Sequence, residues 1–140
     1  MSTEVNEQIV RRFLEGSLAD PAEVFADDVV WHGPSPFGTV SGLSNLKNQV
    51  ASSMFGAFPD LRTTIEALDS FGDDVVVRWM DEGSHSGDFL GFPPAGNRIS
   101  YTGISIYRVV NGMIVEAWVQ WDMWALLEQI KASQPRKSAE

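Results

Sequence analysis

The residues best suited to chemistry lie near the C-terminal end of the sequence, where an aspartate stands among tryptophans. In EAWVQWDMWALL (116–127), Asp122 follows Trp121, precedes Trp124 by two positions and comes four residues after Trp118. Indole rings around a carboxyl group exclude water and raise its pKa toward the range useful for a general acid/base. Asp122 also stands where a strand pattern changes to a helical one, so its carboxylate could instead cap the helix, which would oppose that rise. Both roles remain open at this point.

The two histidines are the other candidates for proton transfer. His85 ends a predicted strand, and we expect it either to act beside Asp122 or to be a structural residue at the strand end. His32 follows Trp31 and precedes the loop GPSPFG. Its ring is expected either to enter the same cavity as a substrate-binding group or to hydrogen-bond this loop.

Several other kinds of site are not predicted by this sequence. It contains no cysteine, and its histidines and carboxylates have no metal-ligand spacing, so we expect neither a metal nor another cofactor. It lacks a glycine-rich phosphate loop and a G-x-S-x-G motif. The net charge of −9 disfavours nucleic acid as a partner. The N-terminus does not resemble a signal peptide, and no apolar run approaches the ~20 residues of a membrane span, so we expect a cytoplasmic protein that does not bind membranes.

The elements that must position these side chains form one α+β domain, which we expect to cover residues 1–134, with 135–140 as a solvated tail. Apolar residues at helical spacing predict helices, and β-branched or alternating segments predict strands. The predicted helices cover 4–18, a short segment capped by Asp20 before Pro21, 42–58 and 122–132, and the predicted strands cover 28–32, 61–68, 73–85, 97–110 and 113–121.

The last hairpin decides which side chains share a face with Asp122. A two-residue turn at Asn111-Gly112 would set Tyr107 opposite Glu116, and a three-residue turn with Gly112 in the left-handed region would set Arg108 there. We favour the second register because Arg108 and Glu116 can then pair across the strands. One face, which we expect to lead into the cavity, then carries Ile104, Ile106, Arg108, Ile114, Glu116, Trp118, Gln120 and Asp122.

An ordered set of short motifs resembles the SnoaL-like family of polyketide cyclases and ester cyclases, within the NTF2-like superfamily. The match extends over roughly residues 25 to 130 and departs from the family pattern at Ala117, often His, and at Ala95, often Thr. The matching segments are Phe58-Pro59-Asp60, VVVRW at 75–79, GSHSGDFLGFPPAG at 83–96, ISIYR at 104–108, GMIVEAW at 112–118 and Asp122.

The resemblance implies a cone-shaped α+β barrel, with a curved, mostly antiparallel sheet around the N-terminal helices and a short C-terminal helix. It also implies a cofactor-free, often dimeric enzyme of secondary metabolism that closes a ring in a polyketide-like substrate by an aldol reaction, with Asp122 as acid/base and His85 beside it. A substrate-binding wall is expected from Trp31, His32, Phe58, Trp79, Arg108, Glu116, Trp118 and Gln120, although several of these are equally suited to the core or to an ion pair.

Two other functions fit the same cavity. The superfamily includes hydroxylases, epoxide hydrolases and pericyclic cyclases, and a hydrolase would need a second carboxylate, such as Glu116 or Asp81, besides Asp122. The third possibility is a non-catalytic module that binds a lipophilic ligand, in which Asp122 is only a cap.

Overall fold

The computed structural model describes residues 3–16 and 21–134, and its elements alternate between a helical layer and one sheet. Helix α1 covers Thr3–Glu15, and a 3₁₀ turn covers Pro21–Glu23. A middle helix consists of α2 (Leu43–Asn45), a π-helical segment (Leu46–Ala51) and α3 (Ser52–Ala57), and helix α4 covers Met123–Ala132. The strands are β1 (Phe25–His32), β2 (Thr39–Ser41), β3 (Arg62–Phe71), β4 (Asp74–Ser84), β5 (Arg98–Val110) and β6 (Met113–Trp121).

These elements agree closely with the periodicity of the sequence. The middle helix and α4 lie where apolar spacing predicts them, and the four long strands match their predicted segments. Strand β2 was not predicted, because three residues after a proline-rich loop carry too little alternation to be recognised. The end of the first predicted helix, Asp20 as a cap and the tail 135–140 lie outside the described residues.

The six strands form one sheet in the order β2-β1-β6-β5-β4-β3. All neighbours are antiparallel except β1 and β6, which pair in parallel. One face of the sheet packs against α1 and the middle helix and forms the core, here called the inner face. Alternation along β4 is regular, with Val75, Val77, Trp79 and Asp81 buried on that face.

The β5–β6 hairpin differs from its prediction in one detail that changes the faces of β6. Val110 pairs with Met113, and Asn111 and Gly112 both have positive φ, so the turn has two residues and is of type I′. Arg108 still pairs with Glu116, as predicted, because a bulge at Val115 inserts one residue into β6. The three-residue turn was therefore wrong, although the register it was meant to explain is confirmed.

The bulge separates Ile114, which is buried on the inner face, from Glu116, with which it was predicted to share a face. Beyond Val115, the buried residues Ala117 and Val119 point to the inner face, together with Trp121. Glu116, Trp118 and Gln120 therefore point to the opposite, outer face. The expectation that they lead into the cavity is wrong, because the interior of the cone lies on the other side of β6.

Candidate active site

A cavity of about 150 Å³ lies between the inner face of the sheet and the helical layer. Its wall is mostly apolar and strongly aromatic, as is typical of small-molecule sites. Among the described residues that line it, Asp81 and Lys47 carry a charge. The others are Phe13, Leu14, Pro21, Phe25, Trp31, Leu46, Val50, Ala51, Met54, Phe55, Leu61, Thr63, Trp79, Tyr101, Tyr107, Val119 and Trp121.

Asp81 is the carboxyl group of this cavity, and the sheet register explains its surroundings. It pairs directly with Thr63 on β3 and with Tyr101 on β5, so all three side chains lie in one row on the inner face. The Thr63 hydroxyl donates to Asp81 Oδ1, and the Tyr101 hydroxyl donates to Asp81 Oδ2 at 3.0 Å. Asp81 is only 8% exposed. Two neighbouring strands therefore hold its carboxyl group in one orientation.

This environment raises the pKa of Asp81 to about 6. The main cause is burial, which disfavours the charged form, and the hydrogen bonds from Thr63 and Tyr101 oppose it only in part. Burial and the neighbouring Asp81 raise the pKa of Tyr101 as well, so its phenol stays protonated and remains a donor at neutral pH. The carboxyl group can thus gain or lose a proton near neutral pH, as a general acid/base must.

The aromatic wall beside Asp81 depends on a glycine. Trp79 on β4 pairs with Gly103 on β5, and an added Cβ at Gly103 would lie 2.3 Å from the Trp79 ring. The indole therefore lies across the strand at the one position without a side chain. Its N–H donates to the buried Ser105 hydroxyl at 2.8 Å, which fixes the ring. Trp121 on β6 pairs with Gly103 from the other side, so two indoles border this part of the cavity.

Asp122 lies outside the cavity, contrary to the expectation from the sequence. It is exposed, it accepts a hydrogen bond from the Ala125 backbone N–H at 2.9 Å, and it is the N-cap of α4. The indoles do not enclose it, since Trp121 faces the cavity, Trp118 faces the outer side of the sheet and Trp124 is 71% exposed. The carboxylate lines a groove on the outer side, next to Gln120, Thr102 and the Glu66–Arg78 ion pair.

Four of the predicted substrate-binding residues meet on the outer face instead of in the cavity. His32 bonds Glu116 through Nε2 at 2.7 Å and stacks on Trp118, and Arg108 lies over the same indole at 5.1 Å. Arg108 forms its ion pair with Asp74 at 3.0 Å and not with Glu116. These side chains form a polar cluster on the outer face, and Gln120, also on this face, is exposed.

His85 and Phe58 also lie away from the cavity wall. Both are fully buried, and their ring centroids are 5.6 Å apart. The Phe58 ring also packs against the Phe89 ring, with centroids 5.2 Å apart. Neither ring nitrogen of His85 has a hydrogen-bond partner among the described residues. Its expected position beside Asp122 is not found. Trp31 and Trp79 are the predicted binding residues that do line the cavity.

From the sequence, Asp81 was expected only as a possible second carboxylate, and neither Tyr101 nor Thr63 was predicted to be a site residue. A signal was present in VVVRWMD (75–81), where alternate apolar residues on one face end in an aspartate. An acid at an inward position of a buried strand indicates a polar group facing the interior. Its two partners could be found only from the register with the adjacent strands.

Within 3–16 and 21–134, no group of three or more metal-ligating side chains comes together. The helices of these residues are all too short or too polar to cross a membrane.

Solved structures with the same fold cover almost the whole chain. A proposed SnoaL-like polyketide cyclase from Jannaschia sp. CCS1 superposes with a TM-score of 0.83 at 23% identity, over 97% of this chain and 98% of that one. A proposed polyketide cyclase from Acidithiobacillus ferrooxidans superposes with a TM-score of 0.76 at 25% identity, over 96% of this chain and 100% of that one. IdmH from Streptomyces antibioticus, also a proposed polyketide cyclase, superposes with a TM-score of 0.74 at 28% identity, over 92% of this chain and 97% of that one.

These superpositions confirm the predicted NTF2-like α+β architecture, with a curved sheet around the N-terminal helices and a short C-terminal helix. No curated protein matches the chain. The sequence profile of the SnoaL-like polyketide cyclases matches residues 3–130, and the chain therefore belongs to this family.

Proposed function

We propose that this protein is a cyclase that closes a ring in a polyketide-like carbonyl compound by an intramolecular aldol reaction, with Asp81 as acid/base. The observation that carries the proposal is the carboxyl group of Asp81, which is 8% exposed, has its pKa raised to about 6 and faces an aromatic cavity. Family membership and the similarity to IdmH support a role of the cyclase type. The expected secondary-metabolic role, cytoplasmic location and homo-oligomer stay predictions.

The reaction needs one group that removes a proton and returns one. The Asp81 carboxylate takes a proton from a carbon next to a substrate carbonyl, which leaves an enolate and a neutral carboxylic acid. The enolate carbon attacks a second carbonyl of the same molecule, so that a carbon–carbon bond forms and an alkoxide appears. Asp81 returns its proton to the alkoxide, and the product is an isomer of the substrate.

Thr63 and Tyr101 act as positioning residues for Asp81. Each occupies one lone pair on a different carboxyl oxygen, and at least one lone pair on each oxygen stays available for the substrate proton. Both donors stabilise the ionised form, so they keep the pKa of Asp81 from rising further. We expect Asp81 to be mostly ionised at neutral pH yet basic enough for proton abstraction.

The cavity wall contributes by shape and by exclusion of water. Trp79, Trp121 and Tyr101 present ring surfaces against which a planar enolate can lie. The wall holds the two carbonyl groups of the substrate close together, in a conformation from which the carbon–carbon bond can form. This lowers the entropic part of the barrier to ring closure. A positioned acid/base adds about 10²–10⁴-fold in rate.

The positions of the carboxylates favour this reaction over epoxide hydrolysis. A hydrolase of the kind considered above needs two acidic groups at the substrate. Asp122 and Glu116 lie on the outer side of the sheet, so among the described residues that line the cavity Asp81 is the sole carboxylate.

The test compares Asp81→Asn with Asp122→Asn on a series of 1,5-diketones that begins with 2,6-heptanedione, whose aldol closure gives a six-membered ring. Deuterium exchange at the α-carbons, followed by NMR, measures proton abstraction, and product formation measures ring closure. We expect Asp81→Asn to lose both activities by about 10²–10⁴-fold. Asp122→Asn should retain them.

Two results would contradict the proposal. One is equal activity of the wild type and Asp81→Asn. The other is the absence of α-proton exchange with every member of the series, which would instead favour the non-catalytic binding module. If Asp122→Asn lost activity and Asp81→Asn retained it, the acid/base role would belong to Asp122, the N-cap of α4.

A further inference from the structure

Three polar side chains on the outer face form a chain of hydrogen bonds across three neighbouring strands. Its members are Thr39 on β2, His32 on β1 and Glu116 on β6. The Thr39 hydroxyl lies 3.1 Å from His32 Nδ1, and Glu116 Oε2 lies 2.7 Å from His32 Nε2. A hydroxyl, an imidazole and a carboxylate in this order can serve as a nucleophile, its general base and the group that orients the base.

The strand register explains why the hydroxyl and the imidazole meet. His32 pairs with Thr39, and one position further along the two strands the Gly33 N–H bonds the Gly38 carbonyl. Because hydrogen-bonded and non-hydrogen-bonded pairs alternate in an antiparallel ladder, His32 and Thr39 form a non-hydrogen-bonded pair, in which side chains lie closest. On its other side the His32 ring stacks on the Trp118 indole, with ring centroids 5.7 Å apart. The imidazole is therefore held between the two neighbouring strands.

The same hydrogen bonds determine where the proton of the imidazole lies. A carboxylate accepts hydrogen bonds and donates none, so the bond to Glu116 places the proton of neutral His32 on Nε2. Nδ1 then carries a lone pair, and the Thr39 hydroxyl donates to it. In this arrangement the imidazole can take the hydroxyl proton as the hydroxyl oxygen attacks a carbonyl carbon.

The Thr39 hydroxyl is accessible to a substrate. Thr39 is exposed, and the side chains of His32 and Glu116 are 33% and 31% exposed. Strand β2 is at the edge of the sheet, and the backbone N–H of a non-hydrogen-bonded pair points away from the neighbouring strand. The Thr39 N–H therefore faces the edge of the sheet, where it can donate to the oxyanion of a tetrahedral intermediate.

We infer that Thr39, His32 and Glu116 form a second reactive site, which transfers the acyl group of small neutral esters to Thr39 and then to water. The site lies on the outer face, so it is separate from the cavity of Asp81 and goes beyond the proposed cyclase function. Because the site is open to solvent, the ester needs a good leaving group, such as a phenolate. The net charge of −9 disfavours anionic esters.

Acyl transfer takes two steps, and water is the only other reactant. Thr39 Oγ attacks the carbonyl carbon while His32 Nδ1 takes the hydroxyl proton. The intermediate expels the leaving oxygen, which receives this proton, so the alcohol departs and Thr39 carries an acyl ester. Water then attacks the acyl ester, with His32 again as the base, and the carboxylic acid and the free hydroxyl result. Glu116 acts through His32 and is a positioning residue.

Reaction with 4-nitrophenyl acetate at pH 8 tests the site. Release of 4-nitrophenolate gives the rate, and peptide mass spectrometry after an acid quench locates the acetyl group. We expect the wild type to carry acetyl on Thr39. Thr39→Val, which removes the hydroxyl but keeps a branched side chain, should lose this adduct, and Thr39→Ser should retain it. His32→Gln should slow acetylation of Thr39 by about 10²-fold.

Glu116→Gln tests the orienting role of the carboxylate. An amide can donate as well as accept, so the imidazole proton is no longer confined to Nε2. We expect the ¹⁵N NMR spectrum of the His32 ring at pH 8 to show the Nε2–H tautomer in the wild type and both tautomers in Glu116→Gln. Acetylation of Thr39 should be slower in this variant by about tenfold.

Thr64→Val is the matched control for the loss of a hydroxyl. It removes an exposed threonine hydroxyl from β3, at the opposite edge of the sheet, and should behave as the wild type. Thermal melting of each variant establishes that it is folded.

The inference is overturned if acetyl is found only on lysines or on the N-terminus, or if Thr39→Val releases 4-nitrophenolate as fast as the wild type. Acetylation of Thr39 at the wild-type rate in His32→Gln would also overturn it, because the hydroxyl would then react without its base. Failure of the cyclase proposal is seen separately, in the exchange and ring-closure assays of Asp81→Asn.

Discussion

The carboxyl group of Asp81 accepts a 3.0 Å hydrogen bond from the hydroxyl of Tyr101, and the two residues are direct partners across β4 and β5. Because the strand register places both donors beside Asp81, its carboxyl group cannot turn toward water without breaking the hydrogen bonds from Thr63 and Tyr101. The fold thus holds an acid with a raised pKa in an apolar cavity. This arrangement leads to measurable consequences for stability and activity.

The buried carboxyl group of Asp81 should make the protein less stable as the pH rises through about 6. An unfolded aspartate loses its proton near pH 3.9, whereas folded Asp81 keeps it up to about pH 6. Between these values the folded state binds more protons than the unfolded state, so the free energy of unfolding falls, by about 3 kcal/mol in total. This contribution is fully present below pH 4 and lost above pH 6.

Urea unfolding of the wild type and Asp81→Asn at pH values from 4 to 8 isolates this effect. Between pH 4 and pH 7 the wild type loses about 3 kcal/mol of stability through Asp81, and Asp81→Asn does not. We therefore expect the free energy of unfolding of Asp81→Asn minus that of the wild type to increase by about 3 kcal/mol over this range. Asp28→Asn, at an exposed position on β1, serves as the control and should show no comparable change. A difference between Asp81→Asn and wild type that does not vary with pH would contradict the raised pKa.

The pH dependence of activity should follow the same group. With Asp81 as the base, kcat/KM rises with pH and levels off above about 6. Tyr101→Phe removes a donor that lowers the pKa of Asp81, so we expect the midpoint to move up by on the order of one pH unit. A midpoint unchanged in Tyr101→Phe would show that the phenol does not act through Asp81.

Tyr107→Phe is the matched control for this shift. It removes a second buried hydroxyl from the same cavity wall, one that contacts Ser105 instead of bonding Asp81. The midpoint of the pH dependence of kcat/KM in Tyr107→Phe should stay near that of the wild type.

Asp122 should matter for stability and not for proton transfer. Its carboxylate caps α4 by accepting from the Ala125 N–H, and loss of such a cap costs about 1 kcal/mol. Asp122→Ala should therefore lower the free energy of unfolding by about that amount, and Asp122→Ser, which can still cap, should recover most of it. The α-proton exchange of both variants should equal that of the wild type, and a large loss of exchange would argue for a catalytic carboxylate at this position.

Gly103 should tolerate no side chain, because the Trp79 indole occupies the space above it. A Cβ at this position would lie 2.3 Å from the ring, so Gly103→Ala must displace Trp79 and break its bond to Ser105. We expect a loss of about 1–3 kcal/mol in stability, together with a changed tryptophan fluorescence spectrum. Gly56→Ala, in the middle helix with open space around its Cβ position, should be neutral or slightly stabilising.

The sequence by itself determined the elements and the family. Apolar periodicity is a local property, and it was sufficient for the middle helix, α4 and the long strands. The ordered motifs identified the family because together they match it at many positions along the chain. The place of Asp122 between a strand and a helix indicated a cap as one of its two possible roles, and the structure shows that cap.

Only the tertiary structure decided which acid faces the cavity. The bulge at Val115 turns Glu116, Trp118 and Gln120 outward, because a one-residue change in register moves the side chains that follow it to the other face. The partners of Asp81 come from strands β3 and β5, far away in sequence, so its burial and its hydrogen bonds exist only when the sheet is assembled. A carboxyl group's neighbours along the chain, such as the indoles near Asp122, do not determine its solvation, because solvation depends on what packs against it in three dimensions.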